Sequence, residues 1–428
     1  MRPHTASDQC SGHDQCGGAE DRQDGGIVVD RERVIKDCAS LRYRRQVTNV
    51  QAVPFARVSV GDRELKYVRQ VVESRQMAGD GTFTKLCERW LELTIGSSRA
   101  LLTHSGTAAL EMAAILAGIG PGDEVILPSF TFPSTANAFV LRGAVPVFVD
   151  IEPHTFNIDP ERVAANVTAR TRAIVPVHYA GNACDMEPLL CIARERGITI
   201  IEDAAQALLS TWRERPLGSI GSTAALSFHQ TKNVASGEGG ALLINDADLI
   251  ERAEIVREKG TNRAVFRRGE VEKYTWVDLG SSYLPGELIA AFLFAQLERA
   301  ADITARRQLI WDRYHAELER LDGYLVRPKQ PAEGKGNAHI YAVMLPSPDK
   351  RAAAIETLLS RGISAVFHYV PLHSSPAGQR FGLARDPLPV TDHVAERLLR
   401  LPIWPDMTDD DVSSVIDGVR AAVHATEK

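Results

Sequence analysis

One lysine and one aspartate follow apolar runs at the positions where α/β proteins place reactive groups. Lys232 comes after the apolar residues 224–226 and before a glycine-rich turn at 237–240, and Asp203 ends the run at 198–202. A lysine amine forms an imine with an aldehyde, and a carboxylate keeps a pyridine nitrogen protonated. The two residues together predict a pyridoxal phosphate (PLP) site with Lys232 as its nucleophile.

A turn suited to phosphate lies between a predicted strand and a predicted helix. It contains Ser105, Gly106 and Thr107, and the predicted helix spans 107–117. The free N–H groups of a helix N-terminus attract an anion, and Gly106 permits close approach of the backbone. Ser227, at the strand end before Lys232, offers a further hydroxyl. The alternative for the turn is a capped helix start that binds no ligand.

Two further side chains could contact a pyridine ring. Phe132 follows the predicted strand at 124–127 and could stack on the ring, and Gln206, one turn beyond Asp203, could reach the ring hydroxyl. Each residue has an alternative. Phe132 could be an ordinary core side chain, Asp203 could be a helix N-cap, and Glu202 is a rival acid that belongs to the strand itself.

Short apolar runs alternate with helical patterns from residue 100 to residue 203. The predicted strands are 100–102, 124–127, 145–149, 173–177 and 198–202, and the predicted helices are 107–117, 134–141, 160–167 and 186–196. This alternation predicts an α/β fold with a mostly parallel sheet. We expect a disordered extension at 1–52, a large domain at 53–300 and a small C-terminal α+β domain at 301–428. A long helical pattern runs from 285 to 321.

Composition excludes several other classes of protein. The 428 residues are 44% hydrophobic and 24% charged, with a net charge of −6, which gives no support for nucleic-acid binding. No apolar run is long enough to suggest a membrane span. The six cysteines are few and scattered, which argues against a disulfide framework and favours the cytoplasm. Cys10, His13 and Cys16 lack an evident fourth ligand, so no metal site is predicted.

Together these segments resemble the PLP-dependent sugar aminotransferases of the DegT/StrS family, from about residue 53 to the C-terminus. Further stretches that carry the resemblance are 178–181, 260–263, 273–276, 280–284 and 367–373. The resemblance implies the type I aminotransferase fold and a homodimer with shared active sites. It also implies that Lys232 carries the cofactor covalently, that Ser282 is a cofactor-binding residue near the phosphate and that His373 contacts substrate.

The resemblance implies amino transfer from L-glutamate to a nucleotide ketosugar. Its closest subgroup would act at C4 of dTDP-4-dehydro-6-deoxy-D-glucose, give dTDP-4-amino-4,6-dideoxy-D-galactose and serve a cell-surface polysaccharide. Three residues depart from the pattern: Ser282 stands where many relatives have asparagine, Gln230 replaces a glutamate, and Gly106 replaces a cysteine. The alternatives are another nucleotide ketosugar and a non-catalytic PLP-binding regulator. Lys232 argues against the family's dehydratase branch, which lacks it.

Overall fold

The computed structural model describes residues 52–329 and 333–425 of the chain. All of them belong to one compact unit, residues 51–428. The extension predicted at 1–52, with its Cys10, His13 and Cys16, lies outside the described residues apart from residue 52. The division into a large and a small domain at residue 300 stays a prediction.

Seven strands form a central sheet in the order β1-β9-β8-β5-β4-β2-β3. The strands of the described chain are β1 (Arg99–Thr103), β2 (Glu124–Pro128), β3 (Val145–Val149), β4 (Thr171–Ile174), β5 (Thr199–Asp203), β6 (Thr211–Trp212), β7 (Arg215–Pro216), β8 (Thr223–Ser227), β9 (Gly240–Ile244), β10 (Gly334–Lys335), β11 (Tyr341–Met344) and β12 (Leu398–Leu401). Strand β9 is antiparallel to both of its neighbours, and the other pairs in the central sheet are parallel. The mostly parallel sheet predicted from the sequence is confirmed.

Helices cover the sheet and build the C-terminal part. They are α1 (Asp62–Ser74), α2 (Thr82–Ile95), α3 (Gly106–Leu116), α4 (Pro133–Val140), α5 (Pro160–Asn166), α6 (Met186–Arg196), α7 (Ile250–Arg257), α8 (Arg263–Arg267), α9 (Glu287–Glu298), α10 (Ala300–Glu317), α11 (Pro348–Ser360), α12 (Pro376–Phe381), α13 (Pro389–Arg397) and α14 (Asp409–Ala425). Helix α3 is apolar on nearly every side, which is typical of a buried helix, and it packs against β8 and β9. None of the helices in the described ranges is long and apolar enough to cross a membrane.

The long helix predicted at 285–321 is wrong in one respect, because two helices occupy this segment. Helix α9 ends at Glu298 and α10 begins at Ala300, with Arg299 between them at φ −107° and ψ 4°. The Arg299 guanidinium donates to the Ser59 hydroxyl (3.0 Å) and to Glu64 (3.3 Å). These contacts with a distant part of the chain hold the backbone out of the helical conformation that the local pattern favours.

The directions of the strands bring four strand ends to one edge of the sheet. Strands β2, β5 and β8 are parallel, and β1 runs with them because β1 and β8 both pair antiparallel to β9. Their C-terminal residues are Thr103, Pro128, Asp203 and Ser227. Open α/β sheets bind ligands at this edge, and the loops that follow these four residues carry most of the predicted site.

The C-terminal part packs around its own apolar cluster. Helices α10, α11 and α14 and strands β11 and β12 contribute to this cluster, with Tyr314, Tyr341 and Leu401 fully buried in it. Strands β11 and β12 pair antiparallel, with Ala342 opposite Arg400. The segment that leads into β11 lies against the loop after β8, because the Asn233 side chain donates to the Asn337 carbonyl at 2.8 Å.

Candidate active site

Lys232 lies in the loop that connects β8 to β9. The loop turns back on itself because the N–H of Phe228 donates to the carbonyl of Gly239 at 2.8 Å. The lysine side chain is half-buried and lines a pocket together with Gln206 and Ser227. Three of the residues predicted from the sequence therefore surround one cavity.

The environment of Lys232 favours its neutral amine. Burial lowers the pKa of its ammonium group from 10.5 to about 8, the carboxylate of Asp203 opposes this change, and the positive charge of Arg400 adds to it. An amine with a pKa near 8 has a much larger unprotonated fraction at neutral pH than an exposed lysine. Only the unprotonated amine is a nucleophile, so the site provides the form that imine chemistry needs.

Asp203 is 6% exposed at the end of β5. One carboxylate oxygen accepts the hydroxyl of Thr135 at 2.7 Å, and the other accepts the N–H of Ala205 at 3.2 Å. The Thr135 hydroxyl is in turn 2.8 Å from that of Thr131. A turn and not a helix follows Asp203, so the alternative that it is a helix N-cap is wrong, and its carboxylate remains within electrostatic range of Lys232.

Glu202 points to the opposite side of the strand, as alternation along β5 requires. Its carboxylate accepts the N–H groups of Gly218, Ile220 and Gly221 at 2.7–2.9 Å and lies 3.0 Å from a ring nitrogen of His178. Burial raises the pKa of this carboxyl group, but these hydrogen bonds outweigh burial and hold the pKa below its usual value. With its oxygens already bonded, Glu202 is not the acid of the Lys232 pocket.

Gln206 is fixed by hydrogen bonds at both ends of its amide. The side-chain oxygen accepts the N–H of Ala180 at 2.7 Å, and the nitrogen donates to the hydroxyl of Tyr369 at 2.9 Å. Its backbone carbonyl accepts from the side chain of Asn337 at 2.9 Å. Contact of Gln206 with a cofactor hydroxyl stays a prediction, but its side chain is held rigidly on the wall of the pocket.

The phosphate turn is packed against the strand that leads to Lys232. A Cβ at Gly106 would lie 3.0 Å from the Cβ of Ser227, and a Cβ at Gly240 would lie 2.5 Å from the Gly106 nitrogen. Ser105 caps α3 by accepting the N–H of Ala108 at 3.1 Å. Two glycines thus allow the N-terminus of α3 to pack closely against β8 and β9, and the helix N-terminus and Ser227 together form a cradle. This cradle fits the phosphate of PLP.

Thr107 and Phe132 complete the predicted cofactor residues of this edge. The Thr107 hydroxyl is 2.7 Å from that of Ser134, on the first turn of α4. Phe132 immediately precedes that helix and is 58% exposed. The alternative that Phe132 is a core side chain is therefore wrong, and its ring is accessible for stacking on a ligand.

The structure does not bring Ser282 and His373 into the Lys232 pocket. Ser282 is exposed, and no contact within the described chain joins it to the lysine. The ring of His373 is 2.8 Å from the Ser129 hydroxyl, just beyond β2, and 3.5 Å from Asp392. His373 therefore borders the same sheet edge from the C-terminal part, and its contact with substrate stays a prediction.

Several residues near Lys232 were not predicted from the sequence. Asn233 donates to the backbone carbonyl of Asn337 at 2.8 Å and is 2.8 Å from a ring nitrogen of His339, which lines the pocket. Tyr369 bonds Gln206, and its ring lies against that of His368 with the two planes tilted by 33°. The segment 367–373 carries the family resemblance but no local signal for the role of Tyr369. Asn337 and His339 give no local signal either, because they lie over 100 residues from their partners.

The sheet topology and the Lys232 pocket define an aminotransferase of fold type I that uses PLP. The chain belongs to the DegT/DnrJ/EryC1/StrS aminotransferase family, whose model matches residues 58–420. It is therefore a PLP-dependent sugar aminotransferase. In the described residues, no group of three or more His, Cys, Asp or Glu side chains is placed to hold a metal ion.

Three known proteins are similar over most of the chain. The spore coat polysaccharide biosynthesis protein SpsC of Bacillus subtilis is 35% identical over 88% of this chain and 98% of its own length. The GDP-perosamine synthase of Caulobacter vibrioides is 33% identical over 86% of this chain and 98% of its own. The structure of Spr1654 from Streptococcus pneumoniae in its PLP form has a TM-score of 0.81 at 26% identity, over 88% of this chain and 99% of that protein.

Proposed function

We propose that the protein transfers the amino group of L-glutamate to C4 of dTDP-4-dehydro-6-deoxy-D-glucose and gives dTDP-4-amino-4,6-dideoxy-D-galactose. The observation that carries the amine-transfer part is Lys232, half-buried with a pKa near 8, in one pocket with Gln206 and Ser227. The C4 and dTDP assignments rest on the resemblance of segments 280–284 and 367–373 to the subgroup with that activity. A 4-amino sugar of this kind would serve a cell-surface polysaccharide.

Each residue of the site has a separate role in this proposal, and its position is consistent with that role. Bound PLP supplies the electron sink that makes the α-proton of an amino acid removable. The N-terminus of α3 and the Ser105, Thr107 and Ser227 hydroxyls hold the phosphate. Asp203, oriented by Thr135, keeps the ring nitrogen protonated.

Lys232 moves the proton. Its neutral amine accepts the α-proton of the amino acid. Its ammonium form would then return a proton to the cofactor carbon that carries the amino group. Phe132 covers one face of the ring and helps to exclude water from it. Each of these roles belongs to a side chain that lies at the carboxyl edge of the central sheet.

A second copy of the chain completes the site in this proposal. Large apolar side chains are exposed together in the segment 263–284, namely Phe266, Tyr274, Trp276, Val277 and Leu279. The same segment contains Ser282, which has no contact with the Lys232 pocket of its own chain. A homodimer would cover the apolar side chains and bring Ser282 of each copy toward the phosphate of the other.

The alternative with a specific observation behind it is another nucleotide ketosugar. The relative from Caulobacter vibrioides is named for a GDP-linked sugar, at 33% identity. A GDP-linked ketosugar is therefore the alternative substrate that this relative favours. A panel of dTDP-, UDP- and GDP-linked ketosugars, with product stereochemistry determined by NMR, separates these substrates. The cytoplasmic location expected from the cysteine content stays a prediction.

The decisive experiment uses the lysine. Borohydride reduction of the PLP-loaded protein should fix the cofactor on the peptide that contains Lys232, and glutamate should bleach the absorbance of the cofactor. Lys232→Ala should lose both signals, whereas Lys259→Ala, at an exposed lysine, should keep them. Turnover by Lys232→Ala at the parent rate would contradict the mechanism. A parent protein that binds PLP but never responds to glutamate would favour the regulator alternative.

A further inference from the structure

Three buried polar side chains join the lysine loop to the segment that leads into β11. Asn233, directly after Lys232, is 9% exposed, and Asn337 and His339 are 1% and 8% exposed. The side-chain amide of Asn233 lies 2.8 Å from the backbone oxygen of Asn337 and 2.8 Å from the Nδ1 atom of His339. Because a buried polar group is costly to leave unbonded, these contacts fix the His339 ring relative to the lysine loop.

The backbone around His339 is held from two further directions. The Asn337 amide donates to two backbone carbonyls, one of them that of Gln206 at 2.9 Å, and its oxygen accepts the His339 N–H at 3.1 Å. From α10, Arg307 donates to the carbonyls of Ala338 (3.1 Å) and His339 (2.6 Å). Ala338 has a φ of +53°, which residues other than glycine rarely adopt. The surrounding hydrogen bonds therefore impose this backbone conformation and the place of the ring.

The hydrogen bonds of Asn233 determine which ring nitrogen of His339 carries the proton. The backbone carbonyl of Asn337 can only accept, so the Asn233 atom that faces it is the amide nitrogen. The amide oxygen therefore faces His339, and because this oxygen can only accept, Nδ1 must donate. Burial, together with the charge of Lys232, lowers the pKa of His339 well below its ordinary value, so the ring is neutral at neutral pH. A neutral ring with its proton on Nδ1 has a free lone pair on Nε2.

The lone pair of Nε2 is available to the lysine. His339 and Lys232 line the same pocket, and within the ranges that the structure describes no hydrogen bond reaches Nε2. A protonated lysine amine has three donors to satisfy. The carboxylate of Asp203 already accepts from Thr135 and Ala205. An ammonium group in this pocket therefore needs a further acceptor, and Nε2 provides one.

We propose that His339 is a positioning residue for Lys232, with its proton held on Nδ1 by Asn233 and its Nε2 accepting a hydrogen bond from the protonated lysine amine. The proton transfer itself stays with Lys232. An ammonium group that is held on one side has its remaining protons directed to the other, where the accepting carbon lies in the proposed reaction. Loss of the acceptor should slow proton transfer and leave cofactor binding unchanged.

The first test determines the tautomer in the apoprotein, where neither cofactor nor turnover is involved. The ring nitrogens of isotope-labelled histidines are measured by NMR at neutral pH, and the signals missing from His339→Asn assign the ring. We expect the shifts of the Nδ1–H tautomer, whereas histidine in water prefers Nε2–H. Asn233→Ala should lose this preference. Asn245→Ala is the matched control and should keep it, because Asn245 also donates to two backbone carbonyls, those of Gly218 and Gly221, but follows the far end of β9.

The second test uses the PLP-loaded protein and rests on the proposed function, because glutamate is the donor. An asparagine amide reaches the place of Nδ1 and keeps the bond to Asn233, whereas a glutamine amide reaches the place of Nε2 and offers an oxygen there. We expect His339→Asn to slow the half-reaction by about 10-fold, the effect of one lost hydrogen bond to a charged group. His339→Gln should recover part of the rate.

Two further measurements separate positioning from a merely structural role. The primary isotope effect with α-deuterated glutamate should be larger in His339→Asn than in the parent, because only a slower proton transfer increases it. The affinity of His339→Asn for PLP should equal that of the parent. If His339→Asn does not fold, the tautomer of the parent and the rate and isotope effect of Asn233→Ala decide.

An Nε2–H or doubly protonated ring in the parent apoprotein would overturn the proposal, because no lone pair would then face the lysine. A His339→Asn protein with the parent rate, or a slow one without a larger isotope effect, would also overturn it. Loss of PLP affinity in step with the rate would assign the histidine to cofactor binding instead. Failure of the proposed function looks different, because the parent would then show the expected tautomer and yet not respond to glutamate.

Discussion

The two reactive groups of the site influence each other through their charges. Burial lowers the pKa of Lys232 to about 8, and this effect outweighs the Asp203 carboxylate, which stabilises the ammonium form. The positive charge of Arg400 lowers the pKa further. Asp203 is therefore needed for the ring nitrogen in our proposal but works against the neutral lysine. The three side chains together set the pH range over which the apoprotein can capture its cofactor.

The rate of cofactor capture should rise with pH through about 8 and level off above it, because the amine must lose its proton before it attacks the aldehyde. The measurement is the initial rate at which PLP attaches to the apoprotein, followed by borohydride trapping. It is made from about pH 6 to about pH 10, a range that brackets this pKa. Asp203→Asn removes the opposing charge, so the midpoint should move to lower pH. Arg400→Gln should move the midpoint to higher pH, and identical profiles for all three proteins would contradict this account.

Thr135 should act through Asp203. Its hydroxyl is buried and donates to the Asp203 carboxylate at 2.7 Å. Thr135→Val keeps the shape but loses this donor, so we expect the half-reaction with glutamate to slow by about 10-fold, the equivalent of one charge-assisted hydrogen bond. Thr135→Ser keeps the hydroxyl and should retain most of the rate. Equal loss in both variants would assign the effect to packing instead of orientation.

At the scale of elements, glycine contacts set how closely α3 approaches the sheet. Gly240 on β9 lies directly under the turn of Ser105 and Gly106. Since the atoms that a Cβ at residue 240 would meet belong to the backbone, the helix N-terminus itself would have to move. The position of the phosphate cradle thus depends on a residue that touches no ligand.

Gly240→Ala should weaken PLP binding and destabilise the fold by about 1–3 kcal/mol, the usual effect of overpacking. Cofactor affinity is measured by fluorescence on reconstituted apoprotein and stability by urea unfolding. Gly120→Ala is the control, because the nearest atom to its Cβ would be 4.0 Å away. If Gly240→Ala binds PLP as tightly as the parent, the cradle does not hold the phosphate as proposed.

Features that depend on a local pattern in the sequence could be predicted. Features that depend on contacts between residues far apart in the chain could not. Lys232 and Asp203 each follow an apolar strand, so strand alternation alone places them at the same edge. Asn337 reaches the Gln206 carbonyl across 131 positions, and no local period encodes such a pair. The helix break at Arg299 has the same origin, since Ser59 and Glu64, more than 230 positions away, hold its side chain.

At the scale of the whole molecule, the segment 263–284 bears both on whether the protein forms a dimer and on whether one chain alone supplies every residue of the cofactor site. Trp276 is 76% exposed, and its indole N–H donates to the Asp278 carbonyl at 2.7 Å, so the ring is held in place on the surface. Exposed aromatic side chains grouped in this way are typical of protein interfaces. The proposed homodimer accounts for both this surface and the isolation of Ser282.

Trp276→Asp should shift the protein from dimer to monomer, because a charge replaces an aromatic side chain inside an apolar contact. Sedimentation equilibrium at micromolar concentrations measures the shift, with Leu359→Asp, at an exposed leucine of α11, as the control. Because Ser282 of one copy would contact the phosphate bound by the other, PLP retention on dialysis should fall with the dimer fraction. A monomeric parent protein would contradict the shared site, and a Trp276→Asp monomer that retains PLP fully would show that each chain holds its cofactor alone.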